Sequence, residues 1–258
     1  MSGSLAKLAP RPLVPNKLAP SPQFRHHRAI NRNPAPMALP SIELETAPNP
    51  RHAVIWLHGL GADGHDFEPI VPQLVDRSWP ALRFVFPHAP VRPITINGGM
   101  AMRAWYDISG MEIAQRQDEA GIRVSIGQLG ELIEREVARG VAASNILLAG
   151  FSQGGAIVLA GGVRYASRVG GIAALSTYLP MAEKTDAEAS AANRGLPIFQ
   201  AHGMLDPTIP HALGSMSRDY LLQRDYAVEW HAYQMAHQVC MEEISDLRAW
   251  IGARLATP

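Results

Sequence analysis

Only one cysteine, Cys240, stands in the 258 residues. A single thiol excludes any intrachain disulfide framework and points to a reducing, cytoplasmic setting. No apolar stretch of about 7–15 residues follows a basic N-terminal region, which argues against a secretory signal. Net charge is missing too: 23 Lys/Arg balance 23 Asp/Glu, so no strongly charged partner is implied on average. The balance is uneven along the chain. Residues 1–36 hold six basic side chains, seven prolines and no acid, which leaves the body with 17 basic against 23 acidic residues, a net of −6. A mildly acidic body argues against a nucleic-acid partner. Charge is also absent from Asn145 to Val163, and an uncharged apolar run of about 18 residues or more is a candidate membrane span.

The first 36 residues show no apolar period and meet proline every few positions, so they cannot bury enough surface to offset their ordering entropy. They are expected to form a disordered, basic extension. Met37 then opens "MALPSIELETAPNP" like a fresh start and is the expected initiator. A genuine tail and an organellar transit peptide are the other readings, the second weakened by the scarcity of Ser and the wealth of Pro.

From Ser41 onward, short apolar runs alternate with longer periodic ones. Strands are expected at 41–46, 53–57, 82–86, 145–150, 170–175, 197–201 and 227–233. Helices are expected at 66–77, 118–139, 153–166, 211–225 and 239–254. In the 118–139 segment Ile122, Ile126, Leu129, Ile133 and Val137 share the helical period. Strands alternating with helices of this length specify an α/β fold with a mostly parallel sheet. Two stretches, 88–117 and 176–195, are expected to be irregular, and loops of that length are often lids or binding loops. No repeat and no linker interrupts 38–258, so residues 37–258 form one domain.

The charge-free run contains its own solution. "NILLA" suits a strand and "AIVLAGGVRYA" a helix, with Gly150-Phe151-Ser152-Gln153-Gly154 between them. G-x-S-x-G at a sharp strand-to-helix turn holds the serine clear of the sheet, and the flanking positions must lack side chains because strand and helix approach closely. Alone the pattern is weak; with a strand before and a helix after, it marks a nucleophile rather than a glycine-rich packing turn. Ser152 then needs a base and an orienting acid, in the chain order Ser, Asp/Glu, His. Asp206 lies in a turn at the carboxyl end of strand 197–201, where such sheets collect catalytic groups. His237 follows the last strand and precedes the last helix. Each taken singly has a bland role, as a turn-bonding Asp or a surface His; order, spacing and a shared sheet edge raise them above it. Two backbone N–H groups should face the developing oxyanion, those of Gln153 and of the glycine loop His58-Gly59-Leu60-Gly61.

The motifs "LHGLGADGHDF", "FPHAPVRPITINGGMAMRAWYDI", "GFSQGGAI", "HGMLDPTIP" and "MAHQVCMEEI" resemble the phospholipase/carboxylesterase (acyl-protein thioesterase-like) family of α/β-hydrolases, most of all its bacterial carboxylesterase branch. The resemblance runs from about residue 40 to 255 and implies an α/β-hydrolase fold: a mostly parallel sheet of about seven strands with helices on both faces. It implies a serine carboxylesterase acting on esters of short to medium acyl chains through an acyl-enzyme, with acyl-protein thioesterase or lysophospholipase as the alternatives. A non-catalytic or membrane-docking protein on this scaffold is a remote one. No cofactor and no metal are implied, the substrate is a small or lipid-like ester, stable membrane insertion is not expected, and a homodimer is allowed. Residue by residue, the resemblance places the nucleophile at Ser152, the acid at Asp206, the base at His237 and the oxyanion amides at Leu60 and Gln153. It makes Trp105, Tyr106 and Asp107 scaffold, with Arg103 a buried or partly buried charge paired to a carboxylate. Segment 108–117 becomes a flap bordering the acyl pocket, with Ile94, Met100 and Met111 as pocket residues. Cys240 is read as a small buried hydrophobe at the start of the last helix. Because the base must be neutral, activity is expected to fall on the acid side of neutrality.

Overall fold

The structure is a computed structural model that describes residues 25, 26, 39–110 and 117–256. Its strands are β1 (Arg25–His26), β2 (Ser41–Glu45), β3 (His52–Leu57), β4 (Leu82–Pro87), β5 (Val91–Ile94), β6 (Met100–Arg103), β7 (Ile146–Phe151), β8 (Gly171–Leu175), β9 (Pro197–Gly203) and β10 (Ala227–Tyr233). The helices are α1 (Val71–Leu74), α2 (Glu119–Ala138), α3 (Gln153–Arg164), α4 (Ala182–Glu188), α5 (His211–Leu222) and α6 (Met241–Leu255). The main sheet runs β1-β2-β4-β3-β7-β8-β9-β10. The two-residue β1 and β2 pair antiparallel at one edge, and β4 onward is parallel. This is the α/β-hydrolase architecture, a mostly parallel sheet with helices on both faces. The expected extension and initiator at 1–37 lie outside the described residues, apart from the paired backbone of β1.

Period-two alternation divides the central strands between two cores. On β3, Ala53, Ile55 and Leu57 face α2 and α3, while Val54 and Trp56 join Phe84, Phe86, Ile244, Leu247 and Trp250 on the opposite face, under α1 and α6. On β7, Ile146 and Leu148 turn to the first core and Leu147 and Ala149 to the second. The charge-free run therefore reflects burial on both sides. Among the described residues no helix is long and apolar enough to cross a membrane.

Four expectations change. The 66–77 helix shrinks to a 3-10 turn, Glu68–Ile70, and the four-residue α1. Pro69 and Pro72 withhold backbone donors there, and Val75 is already extended. The 88–117 stretch contains a hairpin, β5 paired antiparallel with β6. The 176–195 stretch contains α4 and a 3-10 turn at Ala191–Asn193. On α2 the buried face takes in Ser125, Leu132 and Glu136, leaving Val137 38% exposed. Fifteen residues beyond Ile122 a straight helix has rotated by about 60°, so Val137 has left that face. Glu136 is buried instead, accepting from Arg83 at 2.6 Å and Arg139 at 2.9 Å.

Candidate active site

Parallel register brings the carboxyl ends of the central strands level: Leu57 lies opposite Gly150, Gly150 opposite Ala174, and Gly203 opposite Tyr233. The loops just beyond them carry His58–Leu60, Ser152, Ser176–Tyr178, Asp206 and His237 to one edge.

At the β7–α3 junction the chain turns on one residue. Ser152 has φ 55° and ψ −120°, a left-handed conformation costly for a residue with a side chain. It is held from three directions. Its N–H donates to Leu175 O at 2.9 Å, and its carbonyl accepts from Ala156 N at 3.0 Å and from the Thr177 hydroxyl at 2.7 Å. Close packing explains the flanking glycines: a Cβ at Gly150 would stand 2.5 Å from the Gly154 carbonyl, and one at Gly154 2.3 Å from the Leu57 oxygen.

Ser152 Oγ lies 2.8 Å from His237 Nε2, and His237 Nδ1 lies 2.7 Å from Asp206 Oδ2. The second Asp206 oxygen accepts from Thr208 N at 2.8 Å and Ile209 N at 2.9 Å. With its side chain fully buried and both oxygens bonded, this carboxylate has one orientation available. The Phe151 ring packs 4.8 Å from that of His237. The three residues expected from the sequence are thus one hydrogen-bonded chain, although their elements are separated by 54 and 31 positions.

Two further histidines support this arrangement. His58 Nδ1 donates to Gly59 O at 2.7 Å, and Nε2 accepts from Ala89 N at 3.0 Å. Burial holds this imidazole below its ordinary range and so neutral, as those two roles require. It braces the glycine loop. His202 Nε2 donates to Ile209 O at 2.9 Å and stands 3.5 Å from Asp206 Oδ2. Burial lowers its pKa as well, so it stays an uncharged donor beneath the acid. Neither role was legible in a chain with ten histidines.

The Gln153 side chain locks the far wall. Its Oε1 accepts from Trp105 N at 2.8 Å, and its Nε2 donates to Tyr106 O at 2.7 Å. Trp105 Nε1 donates to His58 O at 2.9 Å. Trp105 is scaffold, as expected. Arg103 departs from expectation: it donates to Ala89 O at 2.9 Å, and among the described residues no carboxylate pairs with it. At Asp107 burial acts to raise the carboxyl, but the Thr95 hydroxyl, Thr95 N at 2.7 Å, Ile108 N and the charge of Arg92 together hold it below the ordinary range.

A cavity of about 320 Å³ opens at the serine, lined by Leu60, Gln153, His237, Phe151, Ile108, Ile209, Tyr106 and Tyr178 among others. Both expected oxyanion residues border it. Asp66 stands at its wall, its carboxyl raised by burial and then by the charge of Asp63. The expected pocket residues fare differently. Ile94 is fully buried in the hairpin and Met100 is 64% exposed on it, and neither is among the described lining residues. They are partners across the hairpin that sequence patterning does not resolve, and so share one face of it, with Ile94 covered and Met100 left open at the turn. Met111 lies outside the described residues, as does the flap from 111 to 116; its base is closed by an Ile108–Gln117 bridge. Cys240 does start α6 but is half-buried rather than buried, with Sγ 3.7 Å from Glu242. Among the described residues no group of three or more His, Cys, Asp and Glu is arranged to hold a metal ion.

The profile of the phospholipase/carboxylesterase family matches residues 39–255. Similar proteins include acyl-protein thioesterase 1 of Neurospora crassa, 37% identical over 88% of this chain and 94% of that protein. Acyl-protein thioesterase 1 of Yarrowia lipolytica is 37% identical over 77% of this chain and 89% of that protein. Among solved structures, Arabidopsis thaliana SOBER1 superposes with a TM-score of 0.76 at 30% identity, covering 80% of this chain and 99% of that one.

Proposed function

Since this chain belongs to the phospholipase/carboxylesterase family and is a serine hydrolase of carboxylic esters, we propose that its substrates are S-acyl groups carried as thioesters on protein cysteines. Ser152 Oγ attacks the acyl carbonyl carbon while its proton passes to His237 Nε2, and Asp206 holds the imidazole in the tautomer that can accept it. The tetrahedral oxyanion faces the Leu60 and Gln153 amides. Collapse breaks the C–S bond, and the sulfur leaves with the proton from His237. Water then attacks the acyl-enzyme, returns a proton through His237 and releases the carboxylic acid. The reaction uses protein groups alone, without a cofactor. We assign it to the cytoplasm, in keeping with the single free thiol.

The observation that carries this reading is the hydrogen-bonded chain from Ser152 to Asp206, ending at the cavity wall. The thioester is favoured by the fungal relatives, which bear that name. A second reading, a carboxylesterase of small soluble esters, is favoured by the cavity itself. About 320 Å³ sits at the low end of the usual 300–1,000 Å³ for ligand sites, which suits short to medium acyl chains.

Rates on oxygen esters and thioesters with acyl chains from about C2 to C16, together with an S-acylated protein, separate the two. Thioester cleavage that includes the acylated protein and extends to long chains is expected. A short-chain optimum with negligible release from the acylated protein would overturn it in favour of the carboxylesterase. Ser152→Ala serves as the blank, with a loss of at least about 10⁴-fold expected.

A further inference from the structure

Tyr106 and Tyr178 are each only 3% exposed, yet both border the cavity at Ser152, and their hydroxyl oxygens lie 3.2 Å apart. They come from distant segments, one following the hairpin and one following β8. Each is tied separately to the nucleophile's turn. The Tyr106 carbonyl accepts from the side chain of Gln153 at 2.7 Å, and Tyr178 adjoins Thr177, whose hydroxyl donates to the Ser152 carbonyl at 2.7 Å. The pair therefore stands in a fixed relation to the attacking oxygen.

Two phenols share one hydrogen bond by one donating and the other accepting. The acceptor keeps its own proton, and no other protein acceptor contacts either hydroxyl among the described residues. Burial holds both phenols above their ordinary range, Tyr178 at about 12, so the protons stay in place across any working pH. The residues lining the cavity thus include a pair with one O–H to spare, among largely apolar neighbours such as Ile108 and Ile209. A substrate oxygen can satisfy it, whereas a methylene leaves it unpaired, and sites built this way discriminate strongly against the analogue lacking the partner.

The direction of the acyl chain follows from the carbonyl carbon. One bond goes to Ser152, the oxyanion turns to the Leu60 and Gln153 amides, and the leaving atom must meet His237 to be protonated. The remaining substituent, the acyl chain, is left to the rest of the cavity lining, of which the two tyrosines are part. We propose that the Tyr106–Tyr178 hydroxyl pair is a subsite for an oxygen atom on the acyl chain, so that the preferred acyl groups carry a hydroxyl or oxo substituent rather than methylenes alone. This rests on the serine-hydrolase reading above and narrows its substrate class.

The test uses the full chain and a series of acyl thioesters and oxygen esters of matched length. One methylene at a time is replaced by a carbonyl or hydroxyl-bearing carbon, first in the acyl part and then in the leaving part. We expect one acyl position to raise kcat/KM by about tenfold or more over the plain chain. In Y106F/Y178F that ratio should fall to about one, and each single variant should fall between. Titration of Ser152 with a fluorophosphonate counts folded sites in every variant, so a misfolded variant is recognised rather than scored. A ratio near one at every acyl position in the wild type, a preference that survives in the double variant, or one confined to the leaving part would each overturn the subsite. Failure of the wild type to cleave any of these esters would instead overturn the functional reading beneath it.

Discussion

The turn at 150–155 and the arm at 88–117 both contain glycines, but for opposite reasons. At Gly150 and Gly154 an added Cβ would meet backbone at 2.5 and 2.3 Å, whereas at Gly98, Gly99 and Gly110 it would meet nothing within 4 Å. In the turn glycine makes room for a strand, a helix and β3 to close on one another, and Ser152 is left with the strained conformation. In the arm Gly98 and Gly99 adopt φ values of 66° and 80° in open space, and only the backbone geometry demands them. The ends of the arm are bonded to the site, Ala89 and Trp105 to His58 and Trp105 and Tyr106 to Gln153, but at its tip Gly98 N donates to Thr95 O at 3.0 Å and Gly99 N to Ile94 O at 2.9 Å, both within the hairpin itself. A position set by packing on all sides cannot yield. One that stands in open space can take a side chain.

Breaking the tight side should have the largest effect. Gly154→Ala forces a side chain onto the Leu57 carbonyl, and a loss of about 4 kcal/mol in urea unfolding is expected, with activity lost too. A loss under about 1 kcal/mol would show that the turn is not close-packed. Next comes a buried acid in the last helix. Glu243, in the first turn of α6, is fully buried, neither of its oxygens makes a well-formed hydrogen bond among the described residues, and burial pushes its carboxyl up to about 8 against a weaker pull from the Cys240 amide. Between pH 4.5 and about 8 the folded chain keeps a proton that the unfolded chain releases. Stability should therefore fall as pH rises through that window, by about 1.4 kcal/mol per pH unit, and level off above it. Glu243→Gln should flatten this slope; an unchanged slope would assign it to other groups.

Smaller again is Gln153→Ala, which leaves Trp105 N–H and Tyr106 C=O unpaired in the core and should cost about 2 kcal/mol. Activity should fall too, because the wall beside the serine loses its register. On the loose side Gly99→Ala should cost only about 1 kcal/mol, from its left-handed backbone. Gly110→Ala should stay within about 0.5 kcal/mol. A thermal melt of the two variants beside Gly154→Ala checks the whole gradient.

What could be read from the sequence follows the same division. β3, β7 and β9 were visible because strands buried on both faces are continuous apolar runs, and Ser152, Asp206 and His237 because their chain order and their place after such strands are local patterns. The hairpin β5–β6 was hidden because its strands are short, half exposed and interrupted by Pro93. Helix α4 is only seven residues long, polar, and hidden in what looked like loop. Ile94 and Met100 stand outside the cavity lining for the same reason: where a hairpin lies relative to the site depends on what it packs against. The roles of His58, His202 and the Tyr106–Tyr178 pair had no sequence signal, since their partners lie up to 72 positions away.

By itself the sequence determined the class of fold, the strand-to-helix turn at Ser152 and the choice of Asp206 and His237 as its candidate partners, because backbone sterics, hydrophobic period and turn chemistry act over a few neighbouring positions. Tertiary structure alone decided that Oγ, Nε2 and Asp206 stand within 2.8 Å of one another in succession, that two buried histidines nearby remain neutral, and that a pair of phenols meets at the border of the cavity. Those outcomes depend on which strand lies beside which and on how much water their packing excludes, quantities that exist only once distant segments have met.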